Sequence, residues 1–333
     1  MDGAARVLEV GERRVRLSSP DRQMWPGVTK ADLAEYVIAV GPRLLAAIGD
    51  RPVTLQRFPQ GTSGQEFYSK NPPRGMPEWA RAVPVTYPSG RSHPQLVIDE
   101  VATAVWAVQM NTVTFHPWPV RTGDTDRPDE VRIDLDPQPG RTFADIVRVA
   151  RELRAVLGEV GLTGFVKTSG SRGLHVFAPI TPEHEFTDVR HGVIGVAREV
   201  ERRLPELVTT AWWKEERGEK VFVDFNQANR DRTIASAYSP RALPGATVSM
   251  PVAWADLDEV SIEDFTVNSV PGIVADSVDP WESMAGSAGS FEPALALWEA
   301  DLERGLGELP FPPDYPKMPG EPPRVQPSRR RMD

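Results

Sequence analysis

The sequence has no cysteine among its 333 residues. Disulfides, thiolate metal sites and thiol nucleophiles are therefore excluded, and any bound metal must be held by oxygen or imidazole ligands. Such ligands favour hard ions such as magnesium or manganese. The chain also lacks an apolar run of about 18 residues, and its start alternates charged and apolar side chains, unlike a signal peptide. We therefore expect a cytoplasmic protein with no membrane partner.

Basic residues are too few to balance the acidic ones, and the formal net charge is −9. A negative total argues against a nucleic-acid partner, because Lys and Arg must neutralise the phosphates. The excess is local, however. Residues 252–308 hold 13 Asp or Glu and one basic residue, which gives −12, whereas residues 1–251 hold 32 Lys or Arg and 31 Asp or Glu. The acidic stretch is typical of a solvated face, and the first part of the chain remains compatible with a basic surface.

The first part of the chain has the pattern of short strands around one helix. Thr29 with Asp32 three residues later approximates a capping box, and apolar residues follow at helical spacing. A stretch rich in Gly and Pro then indicates a long loop, which is usually functional or disordered. The predicted elements are a hairpin at 7–19, a helix at 30–48, a strand at 52–58 and a loop at 61–77.

From Val131 onward, strands and helices alternate. A strand, loop and strand unit in the middle predicts a mixed α/β (α+β) fold with a largely antiparallel central sheet flanked by helices. Frequent Pro after Glu308 favours an extended path. The predicted elements are strands at 132–137, 164–167, 174–180 and 221–225, and helices at 142–158 and 187–204. The predicted domain spans 1–308, in three parts at 1–125, 126–270 and 271–308, the last acidic and helical, and a Pro-rich tail or linker (309–333) follows it.

Three Asp residues lie in predicted strands. The strand period of two places Asp134 and Asp136 on one face, and Asp224 follows three apolar residues in a second strand. Like charges this close repel, so such a pair usually has a compensating cation. Three carboxylates on neighbouring strands match the ligand requirement of a two-metal phosphoryl-transfer site. Each motif alone is equally compatible with a polar, solvent-facing strand end.

A Gly-rich turn separates two of the strands, in the sequence from Lys167 to Val176. Its two glycines and small hydroxyls allow backbone N–H groups to approach an anion, and Arg172 and His175 add donors suited to phosphate oxygens. The spacing is that of neither a P-loop nor a dinucleotide fingerprint. The turn is therefore either a triphosphate cradle or an ordinary hairpin loop.

Together these motifs resemble, in order, spacing and flanks, those of the primase-like polymerase domain of bacterial ligase D, in the archaeo-eukaryotic primase superfamily. The resemblance covers most of residues 15–270. Its motifs are Pro26 to Lys30, Phe115 to Trp118, Ile133 to Pro137, Thr168 to His175, Val223 with Asp224, and Thr233 to Ser239.

The resemblance implies an N-terminal DNA-end-binding module at 1–125 and an RRM-like catalytic core at 126–270. The chain is then expected to be either a stand-alone form of this domain or a fragment cut near the Pro-rich tail. Asp134, Asp136 and Asp224 are expected to bind two Mn²⁺ or Mg²⁺ ions. Arg172 departs from the Lys that is common in the family, which keeps the charge but changes the geometry. The residues expected to bind the nucleoside triphosphate are Ser169, Arg172, His175, His116 and Arg241.

The resemblance also implies contacts with DNA. Arg22 and Lys30 match two basic residues that recognise the 5′-phosphate across a gap, and Lys30 is predicted in the first turn of its helix. Phe67 and Tyr68 match an aromatic that stacks on a template base. Arg57 and Lys70 are expected to contact the DNA backbone.

The function implied is that of a nucleotidyltransferase that adds nucleotides, with ribonucleotides preferred, at short gaps or double-strand break ends. Expected partners are gapped or broken DNA, nucleoside triphosphates, Ku and a separate ligase, for a monomer associated with a bacterial nucleoid. The chain has no Lys-x-Asp-Gly ligase motif, and its basic end at 329–331 is either a DNA contact or a disordered tail. Two alternatives stay open: a metal-dependent nuclease or phosphoesterase, and a non-catalytic module that bridges DNA ends.

Overall fold

The computed structural model describes residues 4–330, so Arg331 of the basic end lies outside the described residues. Within this range a five-stranded sheet in the N-terminal part and a six-stranded central sheet organise the chain. No helix in 4–330 is long and apolar enough to cross a membrane.

The N-terminal part begins with the hairpin that the sequence predicts, which pairs Arg6 with Leu17. Strand β5 lies at the centre of the five-stranded sheet, with β9 on one side, β8 and β6 on the other, and β7 beyond β8. The elements are β1 (Arg6–Val10), β2 (Arg13–Leu17), β3 (Gln23–Trp25), β4 (Val28–Thr29), α1 (Lys30–Ala39), α2 (Gly41–Ile48), β5 (Pro52–Arg57), β6 (Phe67–Ser69), β7 (Arg81–Thr86), β8 (Ser92–Val97), α3 (Val101–Gln109) and β9 (Thr112–Pro117).

The single helix predicted at 30–48 is wrong, because α1 ends at Ala39 and α2 begins at Gly41. Pro42 explains the break. It has no N–H to continue the hydrogen-bond ladder of α1, and its ring would clash with the carbonyl four residues earlier. The predicted capping box at the start of α1 is confirmed, with Thr29 and Asp32 each accepting from the other's backbone N–H.

The loop predicted at 61–77 is also corrected, because β6 lies inside it and pairs Phe67 with Arg57 of β5. Phe67 and Tyr68 are both exposed. An exposed edge strand has no alternation of buried and polar residues, so the hydrophobic pattern does not reveal it.

The six-stranded sheet has the order β13-β14-β10-β12-β11-β17 and is antiparallel except between β13 and β14, which confirms the mixed α/β fold with a largely antiparallel sheet. Helix α4 begins directly after Thr142, where the sequence predicts the start of a helix, and Thr142 and Asp145 form a capping box there. The elements are β10 (Glu130–Pro137), α4 (Phe143–Glu159), β11 (Phe165–Thr168), β12 (Leu174–Pro179), α5 (Phe186–Arg203), β13 (Val208–Thr209), β14 (Val221–Asp224), β15 (Ser239–Pro240), β16 (Val248–Ser249), β17 (Pro251–Val252), α6 (Val270–Asp276), α7 (Glu292–Glu303) and α8 (Pro327–Arg330).

The two faces of β10 have different neighbours. Ile133 and Leu135 are fully buried in the core that includes α4 and α5. The opposite face carries Arg132, Asp134 and Asp136 and turns toward the N-terminal sheet, because Arg132 Nη2 donates to the carbonyl of Trp118 at 3.0 Å. The candidate site therefore lies between the two sheets.

Residues 309–330 pack against the core. The Phe311 side chain is buried under the Arg190 guanidinium, 3.8 Å from the ring centre. Arg324 donates to carbonyls of this segment, including that of Tyr315 at 2.7 Å, and to the buried Glu321 carboxylate. Proline offers no donor of its own, so side chains supply the hydrogen bonds that fix this path.

Candidate active site

Three carboxylates meet at the facing edges of β10 and β14. Asp134 lies directly opposite Asp224 in the antiparallel register and opposite His175 of β12 on its other side. Asp136 lies on the same face of β10, two residues further on. The pairing predicted from the two motifs is present in the fold.

Burial and repulsion make these carboxyl groups hard to ionise together. Burial, followed by the charges of Asp224 and Asp136, raises the pKa of Asp134 to about 7. Burial also raises the pKa of Asp224, and hydrogen bonds from Gln227 and the Asn226 backbone limit the rise. A bound cation would relieve both effects, because it favours the charged form.

The three carboxylates do not form a complete coordination shell. Within residues 4–330, no group of three His, Asp or Glu side chains is positioned to hold a metal ion. Asp224 instead accepts from Asn226 N at 2.9 Å and from Gln227 Nε2 at 2.8 Å. Asp136 lies 3.5 Å from an Arg217 nitrogen. Their oxygen donors and the raised pKa values nevertheless fit a hard divalent ion that replaces these hydrogen bonds.

The glycine loop forms a tight turn beside Asp134. Ser169 Oγ accepts from the backbone N–H groups of Ser171 and Gly173, both at 3.1 Å. Gly170 has φ +69, and a Cβ at Gly173 would lie 2.3 Å from the Leu135 carbonyl oxygen, so neither position accommodates a side chain. A cavity of about 160 Å³ lies between this loop and β10, lined by Asp134, Asp136, Ser169, Ser171, Arg172, His175 and Arg241.

His175 is oriented from behind by a buried lysine. Lys167 Nζ lies 2.7 Å from His175 Nδ1, and it also donates to Ser249 Oγ. Burial, with the neighbouring positive charge, lowers the pKa of His175 well below its ordinary value. The other ring nitrogen, Nε2, lies 3.4 Å from Asp134, so His175 links the buried Lys167 to the carboxylates.

The two arginines that line this cavity differ in how firmly their side chains are held. Arg241 donates to the Ser169 carbonyl and so ties β15 and its following turn to the glycine loop. Arg172 has a side chain that is 72% exposed and reaches within 3.9 Å of Asp136. Arg172 is therefore free to move toward a ligand, whereas Arg241 is already held.

His116 lines a neighbouring cavity of about 290 Å³ together with Tyr68, Lys70, Gln227 and Asp231. The rings of His116 and Tyr68 meet edge to face, 5.5 Å apart. Burial, followed by the charge of Arg241, lowers the pKa of His116 to about 3, so the ring is neutral at physiological pH. Gln227 also bonds Asp224, so this cavity adjoins the carboxylates.

Arg22 and Lys30 lie side by side, since Lys30 N donates to the Arg22 carbonyl at 2.8 Å. Arg22 is half-buried, and its Nη1 donates to the Pro59 carbonyl at 2.7 Å. Lys30 begins α1 as predicted, but its side chain is 1% exposed and Nζ donates to the carbonyls of Ser18 and Gln109. The ammonium must leave these acceptors before it can contact a phosphate.

The residues expected to contact the DNA backbone and template are grouped around β6. Arg57 donates to the Met110 carbonyl at 2.7 Å and lies over the Phe67 ring at 4.7 Å. Phe67 and Tyr68 are 41% and 50% exposed. Lys70 is 3.8 Å from Asp231. These side chains form one exposed rim beside the His116 cavity.

Sequence reasoning missed three residues of the site. Gln227 holds Asp224, Arg217 approaches Asp136, and Asp231 pairs with Lys70. Arg217 also lies 3.6 Å from the centre of the Phe222 ring. None of the three belongs to a motif with a recognisable spacing, so only the fold brings them to the carboxylates.

Comparisons with known proteins agree on one family. The model of the LigD primase-polymerase domain matches residues 29–281. The multifunctional non-homologous end joining protein LigD of Pseudomonas aeruginosa is 32% identical over 292 residues, covering 86% of this chain and 34% of the relative. The multifunctional non-homologous end joining DNA repair protein LigD of Mycobacterium tuberculosis is 31% identical over 288 residues, covering 83% and 38%. The chain thus spans little more than a third of the length of these relatives.

A solved structure agrees with the same assignment. The polymerase domain from Mycobacterium tuberculosis ligase D in complex with DNA has a TM-score of 0.77 and 30% identity, covering 84% of this chain and 100% of the solved one. The family model, the relatives and the fold converge, and the chain belongs to the LigD primase-polymerase domain family.

Proposed function

We propose that the protein is a DNA repair polymerase, a primase-like nucleotidyltransferase that adds nucleotides to a primer 3′-hydroxyl at short gaps or double-strand break ends. The direct pairing of Asp134 with Asp224 beside the glycine loop carries this proposal. Family membership supports it, as does the similarity of the fold to that of the polymerase domain from Mycobacterium tuberculosis ligase D in complex with DNA.

Asp134, Asp136 and Asp224 are the residues that would hold two divalent ions, manganese or magnesium. Such ions, when bound, supply activation of the attacking hydroxyl and neutralise charge on the leaving pyrophosphate. The raised pKa of Asp134 supports this role, because burial and the charges of Asp224 and Asp136 outweigh the positive charges of Lys167 and Arg241, and a bound cation would favour the ionised carboxylate.

The glycine loop holds the triphosphate in this proposal. Ser169 shapes the loop, and the exposed Arg172 and the buried Arg241 supply charge to the phosphate oxygens. His175 donates from Nε2, because Lys167 occupies Nδ1. His116 and Tyr68 bound the adjoining cavity, which suits the sugar and base of the incoming nucleotide, and a preference for ribonucleotides is part of the proposal.

DNA binds along the N-terminal part in this proposal. Arg22 and Lys30 recognise the 5′-phosphate across the gap, after Lys30 leaves its carbonyl acceptors. The template strand binds along the exposed rim of β6. Phe67 and Tyr68 stack on its bases, and Arg57 and Lys70 contact its phosphates. Ku and a separate DNA ligase are the proposed partners in end joining.

The test is primer extension on a 5′-phosphorylated gapped duplex with manganese and either ribo- or deoxyribonucleoside triphosphates. Extension, strongest with ribonucleotides, is expected. Shortening of the primer would favour a nuclease, and DNA binding without any change in primer length would favour an end-bridging module.

The Asp224→Ala variant should lose extension by at least about 100-fold, because a metal-coordinating carboxylate serves the transition state directly. Asp256→Ala, at an exposed carboxylate after β17, is the matched control and should retain the wild-type rate. An Asp224→Ala protein that still extended primers at the wild-type rate would contradict the proposed mechanism.

A further inference from the structure

The segment from Glu308 to Tyr315, called the C-terminal strap here, contacts the turn that follows Asp224. Asp224 ends β14, and its carboxylate caps the short helical turn Phe225–Ala228 by accepting from Asn226 N at 2.9 Å. The family model matches residues 29–281, so the strap lies beyond the part of the chain that this match describes. A role for the strap therefore depends on what it contacts.

Buried hydrogen bonds join the strap to the start of this turn. Asn226 is 3% exposed, and its Nδ2 donates to the Pro310 carbonyl at 3.2 Å. Its Oδ1 accepts from Arg190 Nε of α5 at 3.0 Å. The fully buried Arg190 guanidinium also donates to the carbonyls of Leu309 at 2.9 Å and of Pro310 at 3.2 Å. Helix α5, the turn and the strap are thus linked at a point two residues from Asp224.

The strap also holds the far end of the loop that begins with this turn. Tyr315 Oη donates to the Arg230 carbonyl at 2.9 Å. Asp314 pairs with Arg232, and both side chains line the His116 cavity. The strap is therefore attached to this loop at both of its ends.

Gln227 lies between the two points of attachment. Its Nε2 donates to Asp224 Oδ2 at 2.8 Å, and its side chain lines the His116 cavity. Metal binding at Asp224 would replace the hydrogen bonds to the carboxylate, but not those between the strap and the loop, which involve other atoms. The strap can therefore hold the backbone that carries Asp224 in the metal-free and in the metal-bound protein. A ligand that is already in place loses less freedom on binding.

We propose that the C-terminal strap is a positioning element of the candidate metal site, and that its contacts with Asn226 and Arg230 keep Asp224 in place beside Asp134. The strap acts through the loop and is not a metal ligand itself. This inference rests on the proposed function, because Asp224 is assigned to the metal ions there. Hydrogen-bond partners that support metal ligands commonly change metal affinity by about 10–100-fold when they are removed.

The test measures Mn²⁺ affinity by calorimetry with the full chain, at a temperature well below the melting point of each variant. Asn226→Ala removes the side-chain bonds to Pro310 and Arg190, and it keeps the backbone N–H that bonds Asp224. It should weaken Mn²⁺ binding about tenfold or more, because the turn then loses its attachment to the strap.

Tyr315→Phe is the second variant, and it removes only the hydroxyl that bonds the Arg230 carbonyl. It should weaken Mn²⁺ binding about threefold, since the loop loses one hydrogen bond. Tyr36→Phe is the matched control, because it loses the same kind of bond, to the Tyr238 carbonyl. This control should lower the melting temperature and keep the wild-type Mn²⁺ affinity.

Circular dichroism establishes that each variant is folded at the temperature of the titration, and Tyr315→Phe alone decides if Asn226→Ala is not. Wild-type Mn²⁺ affinity in the strap variants would overturn the role of the strap and leave the proposed function intact. An equal loss of affinity in Tyr36→Phe would also overturn it, because reduced stability would then explain the effect. Absence of Mn²⁺ binding by the wild type would instead overturn the metal site on which both proposals rest.

Discussion

Asp134 lies opposite Asp224 and two residues from Asp136 on β10. Burial, followed by the charges of these two carboxylates, raises the pKa of Asp134 from 3.8 to about 7. The folded state therefore binds the proton more tightly than the unfolded state does. Stability of the metal-free protein falls as the pH rises from about 4 to about 7, and the ionised group remains destabilising above that range.

With a chelator present, Asp134→Asn should therefore melt at a higher temperature than the wild type at pH 8. The two proteins should converge below about pH 3, where the wild-type carboxyl is protonated in both states. A gain of 1 kcal/mol corresponds to roughly 2–4 °C for a chain of this size. Thermal unfolding followed by circular dichroism measures the difference.

Manganese provides the internal control for this prediction. It should raise the melting temperature of the wild type and have a smaller effect on Asp134→Asn, because the variant has lost one ligand. Asp256→Asn, which alters an exposed carboxylate, should match the wild type in both conditions. A variant that was less stable than the wild type at pH 8 in chelator would show that Asp134 is not under electrostatic stress.

At the scale of elements, the glycine loop depends on a close approach of two backbones. Gly173→Ala should lower the free energy of unfolding by about 1–3 kcal/mol, because the new methyl group would overlap the Leu135 carbonyl and displace either the loop or β10. Binding of a nucleoside triphosphate should weaken at the same time. Denaturant titration and equilibrium binding measure the two effects.

Gly158→Ala in α4 is the matched control, because nothing lies within 4 Å of the added methyl. The helix propensity of Ala predicts a gain of about 0.5–1 kcal/mol there. Equal changes in the free energy of unfolding for Gly173→Ala and Gly158→Ala would show that the close approach of the loop to the Leu135 carbonyl does not limit residue 173.

The sequence predicts those elements whose signal is local. The capping box of α1, the start of α4 after Thr142 and the paired Asp residues of β10 each depend on a few neighbouring residues, and all are present. Pro42 also signals the break between α1 and α2. The apolar residues on both sides of it, however, keep helical spacing, and that pattern favours a single helix. By contrast, β6 and the contacts of Gln227 and Arg217 depend on partners distant in the sequence, for which no local pattern exists.

The carboxylate of Glu321 holds the segment after Glu308 in place through its hydrogen bonds. Burial alone would raise the pKa of Glu321, but hydrogen bonds from Arg324 and from the backbone N–H groups of Met318 and Phe311 outweigh it and lower the pKa to about 2. The stabilisation is therefore complete above about pH 4.5 and is lost as the pH falls toward 2.

Glu321→Gln should melt below the wild type at pH 7, and the difference should shrink as the pH falls from about 4.5 to 2. Melting curves between pH 2 and pH 7 measure it. Glu303→Gln, at an exposed position of α7, should follow the wild type throughout. A difference that did not vary with pH would show that the Glu321 charge does not hold the segment.

At the scale of the whole molecule, the N-terminal part is joined to residues 126–270 by hydrogen bonds between residues that are far apart in the sequence. Thr114 of β9 donates to the Pro240 carbonyl at 2.7 Å, and Tyr36 of α1 donates to the Tyr238 carbonyl at the same distance. The parts predicted from the sequence at 1–125 and 126–270 thus share buried hydrogen bonds.

We therefore expect the metal-free chain to unfold in one transition, with equal calorimetric and van't Hoff enthalpies. Tyr36→Phe should lower its stability by about 1–3 kcal/mol, because the buried Tyr238 carbonyl loses its donor. The whole transition should shift without splitting, since residues 1–125 and 126–270 lose a contact that they share. Tyr68→Phe, at a half-exposed ring, should leave the transition in place. Two resolved transitions in the wild type would contradict this prediction and would show that the N-terminal module folds independently of the core.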